Sequence, residues 1–100
     1  MIIIEEPTEF RIRTPGKGEV LGIVESMLGT NKIKVVCQDG KARIGRIPGK
    51  MRKRIWMREG DAVLLKPWDI QGEKFGDIKY RYTPTEMSWL RKKGILTMSL

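Results

Sequence analysis

The chain has 100 residues, with 20 lysines and arginines against 12 aspartates and glutamates, a net charge of +8, and 40% apolar residues. This is the length of one domain with one modest core, and no apolar run approaches the ~18–20 residues of a membrane span; Met1-Ile2-Ile3-Ile4 is too short for the apolar region of a signal peptide and is followed by Glu5-Glu6, so a cytoplasmic monomer without a membrane is expected. A single cysteine and no histidine exclude an internal disulfide, a thiolate metal cluster and the commonest zinc ligand and general base.

In chain order, Pro7 and Pro15 interrupt residues 1–16, whose apolar positions follow no sustained period, and this predicts a flexible arm. Regular structure is expected from residue 17. EVLGIVESML (19–28) predicts a first strand in which Gly22 marks a bend or bulge. KIKVVCQ (32–38) predicts a second, with Ile33, Val35 and Cys37 on one face and Lys34, Val36 and Gln38 on the other. Asp39-Gly40 between two strand patterns predicts a hairpin with a primed two-residue turn. The third strand, KARIGRI (41–47), is expected to place Ala42 and Ile44 inward and Lys41, Arg43 and Gly45 outward, and Pro48-Gly49 ends it.

Met51 and Ile55, four apart, leave open a short helical turn or an irregular connection over Lys50–Met57. AVLLKPW (62–68) reads as a nearly continuous apolar fourth strand. DIKYRYT (77–83) predicts a fifth, with Ile78, Tyr80 and Tyr82 on one face. Thr83 as cap, Pro84 at the first position and Glu86 completing a capping box predict a helix, with Met87, Trp89 and Leu90 on its apolar side and Gly94 after Arg91-Lys92-Lys93 at its end. Five strands with little helix between them favour a mainly-β fold: a five-stranded OB-fold barrel over 17–83, with a C-terminal helix and short tail over 84–100.

The charge excess has an address. Lys41, Arg43, Arg46, Lys50, Arg52, Lys53, Arg54 and Arg58 are eight cations within residues 41–58, a stretch with no acid, and removing them from the totals leaves twelve cations against twelve acids. A neutral chain with one basic segment is the pattern of a polyanion-binding site, with affinity supplied largely by counterion release from phosphates. Trp56 among these cations reads either as a core plug or as an indole that stacks on a base; Trp68, Tyr80 and Tyr82 read as structural.

No enzyme chemistry is indicated. Asp69, Glu73 and Asp77 recur every four residues, but Gly72 and Gly76 break the helix that would align them on a metal, and no phosphate-cradling glycine motif is present. Cys37, in an alternating run, reads as a small buried hydrophobe. Neither a metal nor a cofactor is expected.

The runs RIRTP (11–15), MLG (27–29), DGKARIGRIPGKMRKRIWMREGD (39–61), KPWD (66–69) and WLRKKGIL (89–96) resemble archaeal translation initiation factor 1A, the counterpart of bacterial initiation factor 1. The resemblance spans residues 11–96. It implies an OB-fold that binds the small ribosomal subunit at the decoding A site through ribosomal RNA and helps load the initiator tRNA complex during start-codon selection. Initiation factor 1 and the subunit-joining GTPase factor 5B are the implied partners. Carried onto matching positions, it gives an RNA-contacting role to Arg46, Lys50, Arg52, Lys53, Arg54 and Trp56, and moves Trp56 toward a surface contact. The long basic N-terminal and acidic C-terminal tails of eukaryotic members are absent here, and ILTMSL (95–100) is the segment that analogy would place against factor 5B. A general RNA chaperone without a ribosomal address is the alternative.

Overall fold

A computed structural model describes residues 12–49 and 57–98. Among these residues five strands, β1 (Val20–Met27), β2 (Lys32–Cys37), β3 (Ala42–Arg46), β4 (Ala62–Pro67) and β5 (Phe75–Arg81), precede the helix α1 (Pro84–Lys92). The strands close in the order β1-β2-β3-β5-β4. All pairings are antiparallel except β3 with β5, which is parallel. This is the expected OB-fold barrel with its C-terminal helix. No described helix is long and apolar enough to cross a membrane.

The near-continuous apolar runs of β1 and β4 exist because each strand faces two cores. Val24, Val63 and Leu65 join Ile33, Val35, Cys37 and Ile78 inside the barrel. Leu21, Ile23, Ala62 and Leu64 face the other way and pack with Tyr82, Leu90 and Leu96 beneath α1. Alternation on β2 puts Ile33, Val35 and Cys37 inward as the sequence indicates. Burial raises the Cys37 thiol above its ordinary pKa, with the Arg43 guanidinium partly opposing it, so it stays protonated at neutral pH.

Three local expectations are corrected. The register irregularity of β1 lies between Val24 and Ser26, not at Gly22; at Gly22 a Cβ would collide with Val35 Cγ1, so the glycine permits close approach of β2. The β2–β3 turn is a three-residue loop: the Gly40 N–H donates to the Cys37 carbonyl at 3.0 Å and the Cys37 N–H to the Lys41 carbonyl at 2.8 Å. Only Gly40 takes positive φ, at 91°, as a type I turn closed by a left-handed glycine requires. On β5 the pairing jumps from Ile78↔Leu65 to Tyr80↔Leu64. The extra residue, Lys79, is a bulge that reverses the side-chain alternation; Ile78 enters the barrel while Tyr80 and Tyr82 turn to the α1 side.

The start of α1 is as expected, with Thr83 and Glu86 forming both halves of the capping box and Pro84 in the first turn. Its end is a Schellman motif: the Gly94 N–H donates to the Arg91 carbonyl and the Ile95 N–H to the Leu90 carbonyl, with Gly94 at φ 76°. Two side chains hold the tail beyond: Gln38 Nε2 donates to the Ile95 carbonyl at 2.9 Å while its Oε1 accepts from the Thr97 N–H at 2.8 Å, and Arg91 Nη1 donates to the Met98 carbonyl at 2.7 Å.

Of the expected N-terminal arm, residues 12–16 lie against the barrel. Ile12 packs on the second core, and Tyr82 donates its hydroxyl hydrogen to the Arg13 carbonyl. Burial pushes the Tyr82 hydroxyl up to about 12. An acid whose folded pKa lies above its unfolded value leaves stability intact below the unfolded pKa, about 10, and loses it as pH rises toward the folded one. Tyr82→Phe therefore costs about 1 kcal/mol near neutrality through the lost hydrogen bond, and between about pH 10 and 12 its stability falls less steeply than that of the parent chain. Urea titrations across that range measure both effects.

Candidate nucleic-acid interface

Lys50, Arg52, Lys53, Arg54 and Trp56 lie outside the described residues. Both ends of their segment are anchored, because Ile47 before it and Met57 after it are buried in the barrel core. The Ile47 N–H donates to the Asn31 carbonyl at 2.8 Å, so the chain enters the basic segment beside the β1–β2 loop.

Arg43 is corrected. The expectation put it outward with Lys41, yet its side chain is only 5% exposed. Its guanidinium ion-pairs with Asp39 at 2.9 Å and donates through Nε to the Gly72 carbonyl. The hydrogen bond from Arg43 holds the Asp39 carboxyl below the usual carboxylate range. A folded carboxyl with depressed pKa contributes stability at pH above its unfolded value and loses it as acid protonates the pair. The Arg43 guanidinium is thus engaged by Asp39 and the Gly72 carbonyl and largely covered from solvent.

The inversion of β3 has a steric cause. At the parallel seam Gly45 pairs with Gly76, and a Cβ on Gly45 would lie 2.6 Å from Ile78 Cδ1. Only glycine fits inward there, so Gly45 and Arg43 take the interior while Ala42 and Ile44 turn outward.

Arg46 and Lys41 are exposed as expected but stand at opposite ends of β3, about 17 Å apart at ~3.3 Å per residue. Arg58 is also exposed; its N–H donates to Asp61 Oδ2 at 2.9 Å. Arg46 Nε pairs with Asp77 Oδ1 at 3.0 Å, which orients the guanidinium more than it stabilises the fold, because both side chains meet solvent.

Register builds a surface that the sequence reading missed. Across the outer face of the barrel one row runs Lys32–Arg46–Asp77, and the next runs Lys34–Ile44–Phe75. Trp68 extends the second row: its N–H donates to the Phe75 carbonyl at 3.1 Å. The two rings stack at 5.2 Å between centroids and 24° between planes, and Arg46 Cζ lies 5.6 Å from the indole centroid. Beside Arg46 a cleft of ≈ 400 Å³ opens between Asn31, Pro48, Asp77 and Lys79. Alternation on β2 already put Lys34 on the outer face; a search for contiguous cations passes over it, and Lys32 with it. Nothing local links Trp68 to Phe75 or either to Arg46.

The arrangement offers phosphates a cationic row and offers a base a flat aromatic pair, the two components with which OB-fold faces hold nucleic acid. Residues 8–99 match the family described as translation initiation factor 1A / IF-1. The chain is 58% identical over 88 residues to translation initiation factor 1A of Methanothermobacter thermautotrophicus, covering 88% of this chain and 89% of that one. It is 52% identical over 93 residues to the factor 1A of Archaeoglobus fulgidus, covering 91% and 95%. Among solved structures, translation initiation factor 1 from the Wolbachia endosymbiont of Brugia malayi superposes with a TM-score of 0.51 at 29% identity, over 67% of this chain and 79% of that one. The chain belongs to the translation initiation factor 1A / IF-1 family.

Proposed function

We propose that this chain is a non-catalytic factor that occupies the decoding A site of the small ribosomal subunit by binding ribosomal RNA, and so promotes initiator tRNA loading and start-codon selection. Initiation factor 1 and factor 5B are its partners in that assembly. Family membership implies the ribosome and the initiation machinery; the observation that supports the finer reading is that Ile47 and Met57, on either side of the basic segment, are both buried in the barrel core. The RNA-contacting residues of this reading are Lys41, Arg46, Lys50, Arg52, Lys53, Arg54, Trp56 and Arg58, joined by Lys32 and Lys34, which lie on the rows of Arg46 and Ile44; Arg43, buried against Asp39, is left out of the set.

Binding follows from counterion release at several phosphates at once. A protein filling the A site excludes a tRNA from it by volume. The initiator complex is thereby left the neighbouring position.

Co-sedimentation with isolated small subunits tests this. Saturation at one copy per subunit, lost on adding a ligand of the A site, supports the reading. Equal affinity for unrelated structured RNAs, with no competition by the A-site ligand, would instead make the chain a general RNA chaperone.

A further inference from the structure

The geometry points to Trp68 as the stacking platform for one unpaired RNA base, with Lys32, Lys34 and Arg46 receiving the phosphates around it. The inference rests on the RNA-binding reading above and extends it to a face that the basic segment does not include.

Trp68 belongs to neither core. It remains 38% exposed, although tryptophan carries the largest apolar payload a chain can bury. Phe75 backs the ring in a near-parallel stack, which fixes its plane before any ligand arrives. Arg46 is fixed as well, since Asp77 holds its guanidinium, which lies over the indole 5.6 Å from the ring centroid. A stacked aromatic pair with an oriented arginine over it offers ring and guanidinium planes of the kind on which any base stacks, whatever its identity.

Charge selects the occupant. Lys32 is opposite Arg46 on the same row and Lys34 is one row along. Asp77 is already paired, and Glu25 meets Lys34 only across 3.9 Å, with both side chains about half exposed; such a pair yields readily to a phosphate. An apolar plate with a cationic border fits a nucleotide better than an apolar protein segment.

Two measurements decide it on the full chain. Trp68→Ala is expected to weaken binding to small subunits and to a short oligouridine by roughly ten- to a hundred-fold. The slope of log affinity against log salt stays unchanged, because stacking releases no counterions. Trp68→Phe restores most of the loss. A ring that merely shields the β4–β5 loop would lower the unfolding temperature when removed and leave affinity alone, which overturns the proposal. Independently of any variant's folding, 5-fluorotryptophan gives one fluorine signal for each of the three tryptophans, and oligouridine should move the Trp68 signal. A Trp68 signal that stays still at saturation overturns the platform even where subunit binding stands. Oligouridine that moves it, in a protein without affinity for the subunit, upholds the platform and sinks the A-site reading.

Discussion

Replacing Lys50, Arg52, Lys53 and Arg54 together by alanine is expected to lower affinity for isolated small subunits by roughly a hundred- to a thousand-fold at about 0.1 M salt. Each phosphate contact contributes about 0.7 to the slope of log affinity against log salt on single-stranded nucleic acid, and so about 0.7 log units at that concentration. Four contacts account for the loss, and the slope should flatten by about 3. Folding should be unaffected, because the anchors of the segment are Ile47 and Met57 and the four substituted residues are all charged. Affinities measured across a salt series, with a thermal melt as control, distinguish this from a folding defect. A variant that binds with the parent slope would show that these cations touch no phosphate.

Gly76→Ala should be among the most damaging single substitutions in the barrel. A Cβ there would collide with Leu65 Cδ2 and lie 2.9 Å from both Leu65 Cγ and the Lys66 carbonyl oxygen, whereas carbon atoms rest at about 3.5–4.0 Å. Leu65 is fully buried and has no outward escape, and the carbonyl belongs to the wall itself. The expected cost is about 2–4 kcal/mol, the upper part of the overpacking range, and a fall in Tm of roughly 10–25 °C for a domain of this size. Gly45→Ala should cost less, since its nearest contact is the terminal Ile78 Cδ1. Gly29→Ala is the control: nothing lies within 4 Å of its Cβ, and its melt should match the parent. A Gly76→Ala melt within a few degrees of the parent would mean that β5 packs against β4 more loosely than described.

The sequence is most readable where the determining signals are local. The two faces of KIKVVC follow from alternation alone, and Thr83, Pro84, Glu86 and Gly94 each mark a helix end through backbone groups within a turn. Asp39-Gly40 announces a hairpin, although the single positive φ that distinguishes the three-residue loop from a primed turn is not written in the pair itself. The place of Arg43 is not legible, because its polarity points outward while its position is decided by the space beside Ile78, on a strand some thirty residues away. The bulge at Lys79 is invisible for the same reason; it is set by how β5 must serve both the barrel and the α1 core. The basic segment was legible as a run of like charges. The Lys32–Arg46 and Phe75–Trp68 rows were not, because they exist only once β2, β3, β5 and the end of β4 are in register.

Chemical probing of small-subunit RNA, with and without this protein, examines the central claim most directly. Protection is expected to concentrate on the nucleotides of the decoding A site, to be lost with the basic-segment variant and to return on lowering the salt. Protection scattered over the subunit, or centred on a region away from the decoding site, would contradict it.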